Sequence, residues 1–343
     1  CLSRLDGCMY AVKSISPTGQ TKTPSSGTAN SGGSQADMES GTSYLYGGRK
    51  MLSSNQCAVP PTPRSDLCPV KKTKSRTIGS SEWYDDNTND FGMLEGSTHW
   101  NDGTLRRMLR EVFALAALCQ QDDFRTFHIV RYQQAWLEDD GTLYIQTELC
   151  SATLRDEMSD EKKTVDVSKL LREVLLALEL VHQQGMVHLD IKPENIFVSK
   201  NGLYKLGDFG MANAFTESGR KSSATPEIEE GDSRYMSKDL LDFSPKDLTK
   251  CDIFSLGATL YEVCLGKALP TCGDEWQDLR NGKLDKGINE VEFGDIINEM
   301  MHPDADKRPS ATDLLSRGAL RFSSDASDDL FLTHYKVSKM KPA

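Results

Sequence analysis

The sequence predicts an α+β fold, with a small β-rich lobe carrying one helix and a larger, mainly helical lobe. Three observations predict it. Strand signals lie near the start and around residue 140, and helical periodicity dominates beyond residue 150. A long polar stretch separates the first strands from the first helix.

Residues 1–15, "CLSRLDGCMYAVKSI", read as two strands about the turn Leu5-Asp6-Gly7, the Asp-Gly pair being a hairpin signal. Residues 16–103 are rich in Ser, Thr, Gly, Pro and Asn. Such a stretch buries too little apolar surface to offset its chain entropy, so it is expected to be a disordered insert. From about Thr104 the pattern turns regular, with Leu105, Met108, Leu109, Val112, Phe113 and Ala116 at helical spacing. "IVRYQQAWLEDDGTLYIQTELC" (129–150) follows as two strands joined by Asp-Asp-Gly. Residues 1–15 and 104–150 thus make the small lobe, and 151–322 the large one. In the latter, residues 168–184 form an apolar helix (Leu170, Leu171, Val174, Leu175, Leu178, Val181) closed by Gly185. "DIFSLGATLYEVCLG" and "VEFGDIINEMM" are helical again, and 323–343 form a polar tail without a packed pattern.

Composition narrows the function. Of 343 residues 27% are charged and 38% hydrophobic, as in a soluble globular chain. The net charge of −11 speaks against a nucleic-acid partner. Nine cysteines stand without a CxxC pair or Cys/His zinc spacing, so neither a disulfide framework nor a metal site built from them is expected. No apolar run approaches the roughly 18 residues needed to span a bilayer. The chain opens on Cys1 without a signal-peptide leader, and its missing initiator suggests a fragment.

Phosphoryl transfer needs charge against the phosphates, metal ions held by oxygen ligands, and a base beside the attacking hydroxyl. Four elements supply these parts in chain order. "YAVK" ends in Lys13, whose ammonium would meet the α- and β-phosphates, and Glu111 in "LREVF" would orient it. In "HLDIKPEN", Asp190 would accept the substrate proton, Lys192 would steady the transferred group, and Asn195 would hold a metal. In "GDFG", Asp208 would chelate Mg²⁺. Taken singly, Lys13 also reads as a solvated strand lysine and Glu111 as an ordinary helix-face charge. The joint pattern, with Asp252 in "CDIFSLG" and Arg308 in "DKRPS" beyond it, is specific.

The chain resembles a eukaryotic protein kinase, and more narrowly the Wee/Myt family that inhibits cyclin-dependent kinases. The resemblance covers 1–15 and roughly 104–322. It is carried by "RLDGCMYAVK", "LREVFALA", "VRYQQAWLEDD", "LYIQTELC", "VHLDIKPENIF" and "EGDSRYM". Thr147 at the gatekeeper position, the hinge "ELC", the "HLD" form and Phe209 in DFG lean toward the membrane-associated Myt branch. "LREVFALA" and "EGDSR" suit either branch or lean toward Wee. The resemblance implies a bilobal kinase fold, ATP and Mg²⁺ as cofactors, and a CDK–cyclin complex as substrate. The acceptor would be tyrosine in the glycine-rich loop of the CDK, joined in the Myt branch by the adjacent threonine, and the location nucleus or cytoplasm. Backbone groups of Glu148 and Cys150 would bind adenine beside Thr147, between Ala11 above and Phe197 below.

Several features depart from the usual kinase pattern. Leu189 replaces the arginine of His-Arg-Asp, which in many kinases binds an activation-loop phosphate. The change removes a switch and spares the chemistry, and Asp232 is expected to pair with Lys192 without modification. Asp239 in Ser237-Lys238-Asp239 is expected to pair with Arg308, or to be a solvated helix-start carboxylate. The glycine-rich loop is taken to be missing before Cys1, which would weaken ATP binding. About 100 residues separate Lys13 from Glu111, against roughly 4–6 in an ordinary connection. They carry Ser16-Pro17, Thr23-Pro24, Thr62-Pro63 and the basic run "KKTKSR", readable as phosphosites and a nuclear-import signal or as chance. Trp83 and Trp100 read as docking on the small lobe. Two rivals stand beside the inhibitory kinase: a Ser/Thr kinase of the translation-initiation-factor-two type, and a non-catalytic pseudokinase scaffold.

Overall fold

The computed structural model describes residues 9–16, 102–138, 141–214, 232–242 and 245–318. The first strand and turn of the expected hairpin, nearly all of the insert with its Thr-Pro sites, basic run and tryptophans, and the tail 323–343 lie outside the described residues.

The chain divides into two compact units, one comprising Cys1–Trp100 with Gln134–Gln146, the other Asn101–Gln133 with Thr147–Ala343. In the first, β1 (Tyr10–Ile15), β2 (Tyr132–Leu137) and β3 (Leu143–Glu148) form a sheet in the order β1-β3-β2, the last two strands running on into the second unit. Period-two alternation builds it: Leu143 and Ile145 are buried, while Tyr144 stacks on Trp136 across the strands at 5.3 Å. The expected turn closes β2 onto β3, with the Glu138 N–H donating to Thr142 O and Gly141 at φ 81°.

The second unit is mainly helical. Helix α1 (Asp102–Cys119), expected with the small lobe, packs Ala114, Leu115 and Leu118 into the core of this unit. A short ladder of β4 (Ala152–Thr153), β6 (Ile196–Val198) and β7 (Tyr204–Leu206) follows, with α2 (Leu154–Met158) and α3 (Val167–Gln183) between. Helix α3 is the central post. Leu170, Leu171, Val174, Leu175, Leu178 and Val181 are all essentially solvent-free, and truncating one such leucine to alanine costs about 2–5 kcal/mol. Asp166 caps its start by accepting from the Lys169 N–H, and Gly185 ends it in the left-handed region, as expected.

Strand β5 (Met186–Val187) leads from α3 into the HLD loop and pairs with β8 (Asn213–Ala214). Beyond lie α4 (Lys238–Leu241), α5 (Thr249–Leu265), α6 (Gly273–Arg280), α7 (Gly294–Met300) and α8 (Ala311–Leu315). Residues Cys251 to Glu262 of α5 are buried throughout. At Gly257 a Cβ would stand 2.9 Å from Met300 and Met301, so only glycine lets α7 approach α5 so closely. No helix among the described residues is long and apolar enough to cross a membrane.

Candidate active site

The HLD loop is shaped from below by one solvent-free carboxylate. Asp252, on α5, accepts from the His188 N–H at 2.9 Å and the Leu189 N–H at 2.8 Å, and lies 2.9 Å from His182 Nε2. These bonds hold Leu189 at φ 64°, a conformation that costs a non-glycine residue about 1–3 kcal/mol and persists only where its surroundings impose it. The His188 ring lies edge-on to Phe209 at 4.7 Å, with Nε2 3.0 Å from Gly207 O. Loop and DFG turn are thereby locked together.

Above this base the chemistry-bearing side chains converge. Asn195 Nδ2 donates to Asp190 Oδ2 and to Asp190 O, both at 2.8 Å, and Lys192 Nζ sits 2.9 Å from the same Oδ2. The Gly207 N–H donates to Asn195 O, tying the loop to the strand that ends at Asp208. Asp208 is itself left-handed, at φ 59°, which turns the chain into the turn Phe209–Met211 with Phe209 fully buried. A Cβ at Gly210 would lie 3.4 Å from Asp208 Oδ1 and 3.9 Å from Glu111 Oε2, so the carboxylates of α1 and DFG flank one glycine. The second unit therefore gathers Glu111, Asp190, Lys192, Asn195 and Asp208. Lys13 and Ala11 lie on β1 in the first unit.

The donor set suits Mg²⁺. Asn195 spends its amide nitrogen on Asp190, which leaves its amide oxygen as a hard donor; with the Asp208 carboxylate it would suit Mg²⁺, which takes oxygen ligands. At the hinge, Thr147 is half-buried and its Oγ1 donates to Glu148 O at 3.4 Å. The Glu148 N–H is spent on Arg131 O at 2.9 Å, so its carbonyl is the group left for a base. Cys150 is buried, and burial, then the charge of Glu148, pushes its thiol up to about 12, so it is a wall rather than a nucleophile. Phe197 on β6 packs beneath Gly207, where a Cβ would come within 2.8 Å of its ring and 2.7 Å of Val130.

The segment 232–242 corrects one expectation. Asp232 does not pair with Lys192: it takes Arg234, whose Nε donates to Oδ1 at 2.9 Å. A turn places the guanidinium two residues away on both carboxylate oxygens, whereas Lys192 is already held by Asp190. Burial opposes ionisation of Asp232, but the bonds from Arg234 and the charge of Lys192 outweigh it and keep the carboxyl below its usual range. The second expectation holds, as Arg308 donates to Asp239 Oδ1 at 2.7 Å. Leu189 lies in an apolar cluster with Val187, Met236, Leu240, Leu248 and Cys251. Hydrophobic contact thus joins loop and segment.

Sequence reading missed three further groups. Arg155 on α2 donates to Glu194 at 2.8 Å, to buried Glu262 at 2.7 Å and to the Tyr235 hydroxyl at 2.7 Å, knitting α2, the HLD loop, α5 and the segment. Arg280 on α6 donates to Ser233 O and Arg234 O while stacking 3.8 Å over Trp276, whose Nε1 also donates to Ser233 O. Lys205 on β7 pairs with Glu148 at 2.7 Å. Periodicity could not show them, because each is a polar residue bonded to partners distant in sequence.

Comparison with known proteins agrees with this geometry. Residues 98–318 match the model of the protein kinase domain. A Wee1-like protein kinase of Oryza sativa subsp. japonica is 40% identical over 218 residues, 63% of this chain and 39% of that protein. Wee1-like protein kinase 1-B of Xenopus laevis is 35% identical over 68% of this chain and 42% of its own length. Wee1-like protein kinase 2 of Homo sapiens is 32% identical over 65% and 42%. The chain spans about two fifths of the length of these relatives.

Proposed function

The chain belongs to the protein kinase domain family, and from that premise we propose that the protein is an inhibitory kinase of cyclin-dependent kinases, transferring the γ-phosphate of ATP to tyrosine in their glycine-rich loop. The carrying observation is the Asp190, Lys192 and Asn195 constellation beside Asp208 and Glu111. Asp190 accepts the acceptor hydroxyl proton; with Asn195 and Lys192 both on Oδ2, Oδ1 is the oxygen that faces it. Lys192 offers positive charge to the moving phosphoryl group, and Lys13 takes the same part at the α- and β-phosphates. Asn195 and Asp208 would hold Mg²⁺, which would supply positive charge against the charge that develops on the transferring phosphoryl group. Glu148, Cys150 and Thr147, with Ala11 and Phe197, receive adenine.

The substrate reading rests on the Wee1-like relatives and on "EGDSRYM", whose Asp232, Ser233, Arg234 and Tyr235 are each bonded without modification. A CDK–cyclin complex is the partner, in nucleus or cytoplasm. Phosphoresidue mapping on a kinase-dead CDK–cyclin complex treated with the full-length protein tests this. Phosphotyrosine in the glycine-rich loop is expected, and phosphothreonine beside it would mark the Myt-like branch. Labelling of translation initiation factor two instead, or no transfer at all, would overturn it.

A further inference from the structure

Lys205 carries a charge that the reaction does not explain. It is a buried lysine on β7, three residues before Asp208, and directly opposes Phe197 in the β6–β7 register. Its Nζ lies 2.7 Å from Glu148 Oε1 and 3.4 Å from Ile129 O. The same Oε1 accepts from the Arg131 N–H at 2.7 Å, and Arg131 O accepts from the Glu148 N–H at 2.9 Å. The hinge glutamate is therefore clasped on both backbone and side chain by residues 129–131 and β7. The Val130 N–H donates to Leu206 O, and the Val130 side chain closes on Gly207, leaving little slack before Asp208.

A buried ammonium is costly unless paired, and a half-buried carboxylate with two donors on one oxygen is fixed in direction. Moving Lys205 would release the Glu148 side chain, and with it the backbone carbonyl that faces the base. It would also loosen the strand that delivers Asp208.

We propose that Lys205 is a positioning residue, whose ion pair with Glu148 sets the hinge carbonyl for the adenine ring in register with the metal ligand Asp208. The proposal rests on the reading of the hinge as the nucleotide site. Lys205 touches neither nucleotide nor acceptor; it acts through Glu148. Removing its charge therefore weakens nucleotide binding more than it slows the chemical step or weakens binding of the protein substrate.

The test is steady-state kinetics of the full-length protein, with direct titration of a fluorescent ATP analogue. Lys205→Met should raise KM for ATP and Kd for the analogue about tenfold, with kcat and KM for the protein substrate changed less than about threefold. Lys205→Arg, which keeps the charge, should restore both to within about twofold. In the double variant Lys205→Met/Glu148→Gln the two losses should not add, since they break one contact. If Lys205→Met does not fold, Glu148→Gln gives the same readout, because its amide oxygen still accepts from Arg131 while the ion pair is gone. Unchanged KM for ATP, equal losses in every constant, or additive losses in the double variant overturn the proposal. Failure of the unaltered protein to bind the analogue would instead overturn the kinase reading beneath it.

Discussion

At the residue scale, Leu189 is held in its loop by packing and a backbone bond. Its backbone N–H is held by Asp252 Oδ1, whose other oxygen is taken by His188 and His182, and its side chain by an apolar cluster. Leu189→Arg would force a guanidinium into that apolar cluster, and should cost about 2–4 kcal/mol in urea denaturation. Leu189→Met, of similar volume, should cost less than about 1.5 kcal/mol. Equal stability of the arginine variant would show that the cluster does not fasten the loop. Asp190 differs in kind: Asp190→Asn should lower kcat roughly 10²- to 10⁴-fold while leaving the unfolding midpoint nearly unchanged. Retained turnover would mean that Asp190 is not the base, and a cellular effect unchanged by the loss of turnover would return the scaffold reading. Both residues were legible in the sequence, because motif order places base, lysine and metal ligands without any knowledge of packing. Asp232 was not: its pairing depended on which cation a local turn brought nearer, and that is a matter of coordinates.

At the scale of elements, α3 was legible because its buried residues repeat at helical spacing, and α5 because its apolar run is longer than a buried strand. Helix α6 was not. It has eight residues, of which only Leu279 and Arg280 are buried, so no period could emerge. Yet it grips the segment 232–242, through Trp276 and Arg280 to the carbonyls of Ser233 and Arg234. Burial alone pushes the Arg280 guanidinium down toward about 10, still charged at neutral pH. Arg280→Met takes the guanidinium from Arg234 O and leaves Ser233 O with Trp276 alone, at about 1–3 kcal/mol for a buried group left unmet. It should lower the thermal midpoint and expose residues 232–236 to limited proteolysis. Arg280→Lys should fail to restore either, since one ammonium cannot span three carbonyls and stack on Trp276. Protease resistance equal to that of the unaltered protein would mean that α6 does not hold the segment.

At the scale of the whole molecule, two buried groups joined through one residue's backbone in the larger unit shape how stability depends on pH between about 4 and 7. Tyr204 N–H donates to Glu173 at 2.7 Å, and Tyr204 O lies 3.1 Å from His128 Nδ1. Both titratable groups are buried, with opposite consequences. Burial pushes the Glu173 carboxyl up to about 7 from 4.5, against the Tyr204 bond and the charges of Lys169 and Arg172. Burial pushes the His128 ring down to about 4 from 6.5, helped by Lys205, Arg172 and Lys169. The folded state therefore holds an extra proton on Glu173 above about pH 4.5, so that stabilisation is lost as pH rises through about 7. It lacks a proton on His128 below about pH 6.5, so stability is lost as pH falls toward about 4. Between about 4.5 and 6.5 the two slopes cancel, and these two groups together leave a plateau. Glu173→Gln keeps an acceptor for the Tyr204 N–H and removes one slope. Its stability should climb by up to about 1.4 kcal/mol per pH unit across that window. Above pH 7 it should exceed the unaltered protein by at most about 3 kcal/mol, read from urea denaturation at several pH values. A variant as flat as its parent would mean that His128 and Glu173 do not titrate against each other across Tyr204.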